Sequence, residues 1–239
     1  MKLEHGHSQA EIEERINRPP GRGYLRDVVY GGIDGSVTTF AVVAGVGGAG
    51  LSPAIILILG LANMLADGFS MAAGNYSGTK TEIDNANRLR ELEKRHFAED
   101  PDGEKRELRE ILRSKGLSGD VLDAATDQIF ENKEASIQLM LEGEYGIASV
   151  DPHPMRAAIV TFVSFFIAGL VPLVPFLLEL PNAFMWSTGL TMTTFFLIGA
   201  YKSVWSLTAW WKSGLETLFI GGAAALIAYA VAAMFEGMA

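Results

Sequence analysis

The sequence has no cysteine, which removes disulfides and thiolate metal sites from consideration. It has no apolar h-region near its start: Met1 to about Arg26 is polar and charged, so no signal peptide is expected. It has no GxxxxGK[ST] loop, so ATP hydrolysis is not expected to drive any activity. Two long stretches lack charge altogether, Ala157–Leu178 and Thr217–Phe235. A soluble core helix of that length would carry a polar stripe, and a buried strand would be far shorter. The composition, 49% hydrophobic with a net charge of −9, would suit a soluble protein only if those residues were mixed, and they are segregated.

Five stretches are long and apolar enough to cross a bilayer core of about 30 Å as helices. They fall at 28–50, 53–75, 157–180, 183–202 and 213–235. Gly50-Leu51-Ser52-Pro53 separates the first pair and Leu180-Pro181-Asn182 the second pair on that face, while Pro172 and Pro175 predict a kink inside the third. Of the 19 basic residues, five precede the first span, twelve lie between Lys80 and Arg156, and Lys202 and Lys212 separate spans four and five. The opposite face carries none, so the basic-inside bias predicts a cytosolic N-terminus and an outside C-terminus. The expected organisation is a cytosolic segment 1–26, spans one and two over 27–76, a cytosolic insert over 77–155, and spans three to five over 156–239. The fold class is an all-α membrane protein of five transmembrane helices, with a three-helix cytosolic metal-binding insert between spans two and three. No nucleic-acid partner is expected.

The insert holds 18 Asp or Glu against 11 Lys or Arg. A helix continuing from span two to about Ala98 is expected to break at Asp100-Pro101-Asp102-Gly103. A second runs from about Glu104 to Ser114 and stops at Gly116, and a third, capped by Ser118, continues to about Tyr145. Glu93 and His96 are three apart, as are Glu104 and Glu107, and Met140 and Glu144 are four apart, so each pair shares a helix face. Carboxylate, imidazole and thioether together suit Fe²⁺, Mn²⁺ or Zn²⁺ better than Ca²⁺ or Mg²⁺. Equally, Glu pairs at such spacing occur on any solvated charged helix.

Within the membrane, Asp34 lies two turns into span one and Asp67 two turns from the cytosolic end of span two. The spans are antiparallel, so the two carboxylates sit at similar depth. An intramembrane Asp costs roughly 2.5–3.5 kcal/mol on insertion scales and marks a functional site by default. Asn63, Asp67 and Met71 are spaced by four and share one face. Together with Asp34 they outline a path for a divalent cation, while Asp27 is expected near the headgroups with no special role. Gly31 and Gly35 form a small-xxx-small pair that permits close helix contact.

Asp27-Val-Val-Tyr-Gly-Gly-Ile-Asp34-Gly-Ser-Val-Thr-Thr-Phe40 and Leu61-Ala-Asn-Met-Leu-Ala-Asp67-Gly-Phe-Ser70-Met71-Ala-Ala-Gly-Asn-Tyr76 resemble the first two spans of the vacuolar iron transporter family. The layout, the acidic insert and Pro172-Leu-Val-Pro175 fit too, so the resemblance covers about 24–235. It implies proton-coupled export of Fe²⁺ from the cytosol by a homodimer in the lipid bilayer. It also implies a transport path lined by Asp34 and Met71, and an insert that binds metal through Glu93, Glu104, Glu107, Met140 and Glu144. Two positions depart from the plant pattern: His96 stands in place of Glu, and Asn63 in place of an intramembrane Glu. His can still ligate, whereas an amide cannot titrate, so proton coupling would pass to Asp67. Fe²⁺ is the expected substrate, with Mn²⁺ or Zn²⁺ also compatible, and the short polar head favours a bacterial inner membrane. A membrane-anchored metal sensor or buffer is the competing class. A ferritin-like oxidase would need two Glu-x-x-His motifs, and Glu93–His96 supplies one.

Overall fold

The structure is a computed structural model describing residues 6–17, 23–48, 50–147 and 153–234. Residues 49 and 235, at expected span ends, and the basic residues Lys2, Arg18 and Arg22 lie outside it. Every regular element among the described residues is helical: α1 (Gln9–Asn17), α2 (Leu25–Gly48), α3 (Pro53–Glu99), α4 (Pro101–Ser114), α5 (Gly119–Phe130), α6 (Lys133–Gly143), α7 (Pro154–Leu170), α8 (Val174–Leu177), α9 (Ala183–Lys202) and α10 (Trp210–Met234), with 3₁₀ turns at Val171–Leu173 and Ser203–Trp205. Among the described residues, five segments are long and apolar enough to span a membrane, beginning at Leu25, Pro53, Pro154, Ala183 and Trp210. The chain divides into two compact units, one of Gly23–Gly78 with Pro154–Ala239, the other of Met1–Arg22 with Thr79–His153.

In the membrane unit α2 is the central helix, packed on α7, α9 and α10. Its closest approach is to α7, where a Cβ on Gly35 would strike the backbone of Phe165 and one on Gly31 the carbonyl of Thr161. The small-residue pair thus sets the α2–α7 contact. Apolar packing at one end joins Val43, Val46, Ile56, Leu173 and Phe176.

The α-helix of span three stops at Leu170 for a local reason. Pro172 has no N–H to give the carbonyl of Ala168, four residues back, and the helix passes into the 3₁₀ turn. Ser36 of α2 donates its hydroxyl to that Ala168 carbonyl at 3.1 Å, and Ser187 of α9 donates to the Pro172 carbonyl at 2.7 Å. Both hydroxyls are buried and answer carbonyls that lipid could not satisfy.

The other unit differs from expectation in two places. The helix from span two breaks at Asp100-Pro101-Asp102-Gly103 as expected, but α4 begins within that cluster, at Pro101 and not near Glu104. Asp100 caps α4, accepting from the Gly103 N–H at 2.9 Å, and Pro101 occupies the first turn, where its missing N–H costs nothing. The single helix expected from Ser118 to Tyr145 is two, α5 and α6. Asn132 breaks it, its side chain accepting from the Ala135 N–H at 3.2 Å as the N-cap of α6. The stretch expected as a three-helix insert therefore holds four among the described residues: the end of α3, then α4, α5 and α6.

Candidate functional site

The end of α3 carries Glu93 and His96 on one face, and the turn at Asp100 reverses the chain so that α4 presents Glu104 to them. His96 Nδ1 lies 3.6 Å from Glu104 Oε1. Glu93, His96 and Glu104 each offer a ligand atom, and the three atoms lie within 4.8 Å of one another. Donors bound at about 2.0–2.2 Å around one tetrahedral ion lie about 3.3–3.6 Å apart, so the three side chains would have to draw closer together to share one. Glu93 is fully buried and Glu104 nearly so, at 4% exposure. Glu93 Oε1 accepts from the Tyr145 hydroxyl at 2.9 Å, while the Oε2 atoms of Glu93 and Glu104 are buried without a hydrogen-bond partner. Buried carboxylate oxygens left in that condition are costly, and either a proton shared between Glu93 and Glu104 or a bound cation would satisfy them.

The electrostatics agree. Burial, with the nearby carboxylates of Glu93 and Glu107, pushes the Glu104 carboxyl up to about 8. Burial, then Glu107 and Glu93, also raises the Glu144 carboxyl, and burial followed by the hydrogen bond to Glu93 raises the Tyr145 phenol. Excess negative charge is thus concentrated around Glu93 and Glu104, with Glu107 and Glu144 adding to it. Met140 is fully buried in an apolar cluster with Leu108, Leu112 and Leu122. Phe97 and Phe130, stacked at 5.1 Å, lie against that cluster. Tyr145 was not foreseen; its partner Glu93 is 52 residues away, and no spacing rule connects them.

In the membrane unit, Asp34 and Asp67 are both half-buried and near enough for their charges to interact. Asn63 donates to Asp67 Oδ2 at 2.8 Å. Met71, one turn further along α3, lines a cavity of about 340 Å³ with Asp27, Tyr30, Ser70, Asn75 and Thr161. Asp27 has more to it than the sequence reading gave: it is only 3% exposed and accepts from Asn75 Nδ2 at 2.8 Å. The same amide group donates to Thr161 Oγ1 at 2.6 Å. The missed signal was the seven-residue interval from Asp27 to Asp34, two turns that put both on one face of α2.

A polytopic helical membrane protein with half-buried carboxylates in its spans and a carboxylate–imidazole cluster in a second unit belongs to the class that handles cations. The sequence matches the VIT family over residues 25–233, and the chain belongs to that family. It is 32% identical over 211 residues to vacuolar iron transporter 1 of Oryza sativa subsp. japonica, covering 87% of this chain and 84% of that protein. It is 33% identical over 225 residues to the vacuolar iron transporter of Toxoplasma gondii, covering 89% and 74%. With vacuolar iron transporter 1 of Arabidopsis thaliana the identity is 29% over 215 residues, covering 89% and 86%. Each is named as a transporter, and the chain is accordingly a member of a transporter family and not an enzyme.

Proposed function

We propose that this chain carries Fe²⁺ out of the cytosol across its membrane, with Mn²⁺ as a second substrate. The observation that carries the reading is the pair of carboxylates, Asp34 and Asp67, held within interacting range inside two apolar spans. A sensor or buffer has no use for that insertion cost, whereas a dehydrated divalent cation needs the charge. The relatives' names supply the metal.

Direction follows from charge. The concentration of Lys and Arg before span one and between spans two and three supports a cytosolic location for the N-terminus and for 79–153. Metal gathered by Glu93, His96 and Glu104, with Glu107 and Glu144 adding negative charge and Met140 a thioether ligand on limited movement, would come from the cytosolic pool. It would then pass Met71, Asp34 and Asp67. Protons would move the other way, taken by Asp67 because Asn63 cannot titrate. A homodimer is part of this reading, as the family resemblance implies.

The test is flux. Purified protein in liposomes should accumulate Fe²⁺ and Mn²⁺ in preference to Ca²⁺ when a pH gradient is imposed, and accumulation should slow when the gradient is collapsed. Binding of Fe²⁺ without transmembrane movement would instead favour the sensor or buffer.

A further inference from the structure

The connection between α9 and α10 stands on a tight base. A Cβ on Gly199 would strike the Ser213 carbonyl, and one on Gly214 would strike the Phe196 ring, so the two helices meet there at close range. Ser213 is buried and donates its hydroxyl to the Gly199 carbonyl at 2.8 Å. Lys202, at the end of α9, reaches Glu216 of α10 at 3.4 Å. Aromatic rings stiffen the connection itself. Trp205 stands edge-on to Tyr201 with centroids 5.2 Å apart, and Trp210 stands edge-on to Phe196 at 6.0 Å.

What this stiff connection presents is apolar and cationic. Val204, Trp205, Leu207, Trp210 and Trp211 are all exposed, Leu207 completely. Trp205, Trp210 and Trp211 are three of the four tryptophans in the chain. The connection joins two membrane spans, so it lies where the hydrocarbon core gives way to headgroups. At that level an indole finds an apolar layer for its ring and acceptors for its N–H. Among the described residues, none of these three indole N–H groups has an acceptor within the protein. The Lys212 ammonium lies 5.4 Å from the Trp211 ring centroid. Among the described residues no carboxylate comes within ion-pair distance of it, Glu216 being taken by Lys202. Lys212 also stands in the first turn of α10, at the positive end of the helix dipole. An unpaired ammonium beside unpaired indole donors suits an oxygen-rich anion, and the membrane level makes that anion a phospholipid headgroup.

We propose that the α9–α10 connection docks the headgroup of an anionic phospholipid. Lys212 takes the phosphate, the Trp210 and Trp211 indoles donate to the ester oxygens, and Val204, Trp205 and Leu207 enter the acyl layer. A net anionic lipid is preferred to a zwitterionic one, whose choline brings a second cation up to the ammonium. One lysine at a bilayer surface favours anionic lipid by about fivefold. Both α9 and α10 pack on α2, so a lipid held at their junction bears on the helix that carries Asp34. The site stands apart from the transport reading and would serve a sensor equally well.

The test is tryptophan fluorescence of the full chain in phosphatidylcholine bilayers, with Trp186→Phe removing the one indole outside the connection. A lipid brominated near the headgroup end of its chains quenches an indole that it touches. Brominated phosphatidylglycerol should quench with about fivefold higher relative affinity than brominated phosphatidylcholine. The preference should shrink at high salt, vanish in Lys212→Gln and persist in Lys212→Arg. Lys212 is exposed, so both variants should fold, as an unaltered elution profile would verify. Should Trp186→Phe lower the yield, the four-tryptophan chain gives the same comparison, with Trp186 common to every arm. Equal quenching by the two lipids, or a preference kept in Lys212→Gln, would overturn the site. Absence of quenching by either would overturn it too, marking a surface covered by protein, such as a second copy of this chain.

Discussion

Glu104 is the residue whose chemistry depends most on its surroundings. Its carboxyl titrates near 8 in the folded protein against an ordinary 4.5, so without metal it is protonated at neutral pH. A folded-state value raised above the unfolded one gives stability that is complete below about pH 4.5 and is lost as pH rises through about 8. Thermal unfolding in chelator should therefore occur at lower temperature at pH 8.5 than at pH 6, and Glu104→Gln should flatten that dependence. Metal must displace the same proton, so binding should tighten over that interval and release protons, countable by calorimetry in buffers of different ionisation enthalpy. Equal melting temperatures at the two pH values would show that Glu104 is not desolvated as described. The sequence marked Glu93, His96 and Glu104 because helical spacing is local. It was silent on the burial that gives Glu104 its proton and on Tyr145 and Asp27, whose environments are made by residues from other helices.

Among the elements, α2 depends on close contact and on answering freed carbonyls. Gly35→Leu should leave no monodisperse protein on size-exclusion chromatography, because the side chain would have to occupy the Phe165 backbone. Ser36→Ala should fold but lose about 1 kcal/mol, read as a lower unfolding temperature, since the Ala168 carbonyl freed by Pro172 loses its donor. Unchanged behaviour in both variants would mean that α2 and α7 do not meet as described. The spans were legible because twenty apolar residues in a row have few other uses. Start positions moved by no more than three residues, as at Leu25 and Trp210, where flanking polar or aromatic residues extend the helix past the apolar run. The break at Asn132 was not legible, because Leu122, Ala125, Ile129 and Ile137 keep helical spacing across it while the decision lies in one side-chain cap.

For the whole molecule, the distribution of basic residues fixes an expected topology. A reporter fused after Ala239 should read as outside and one inserted near Gly103 as cytosolic; both on one side would contradict an odd number of spans. On the proposed transport reading, a metal ion passes the Asp34–Asp67 level. Asp34→Asn preserves size and hydrogen-bonding capacity and removes the charge that offsets a dehydrated cation. An amide is cheaper to bury than a carboxylate, so folding should survive, as an unaltered elution profile would verify. The decisive measurement is Fe²⁺ flux into liposomes carrying Asp34→Asn protein beside Fe²⁺ binding by the same preparation in detergent. Loss of flux with binding at Glu93, His96 and Glu104 retained is the expected result. Wild-type flux in that variant would contradict transport through this path.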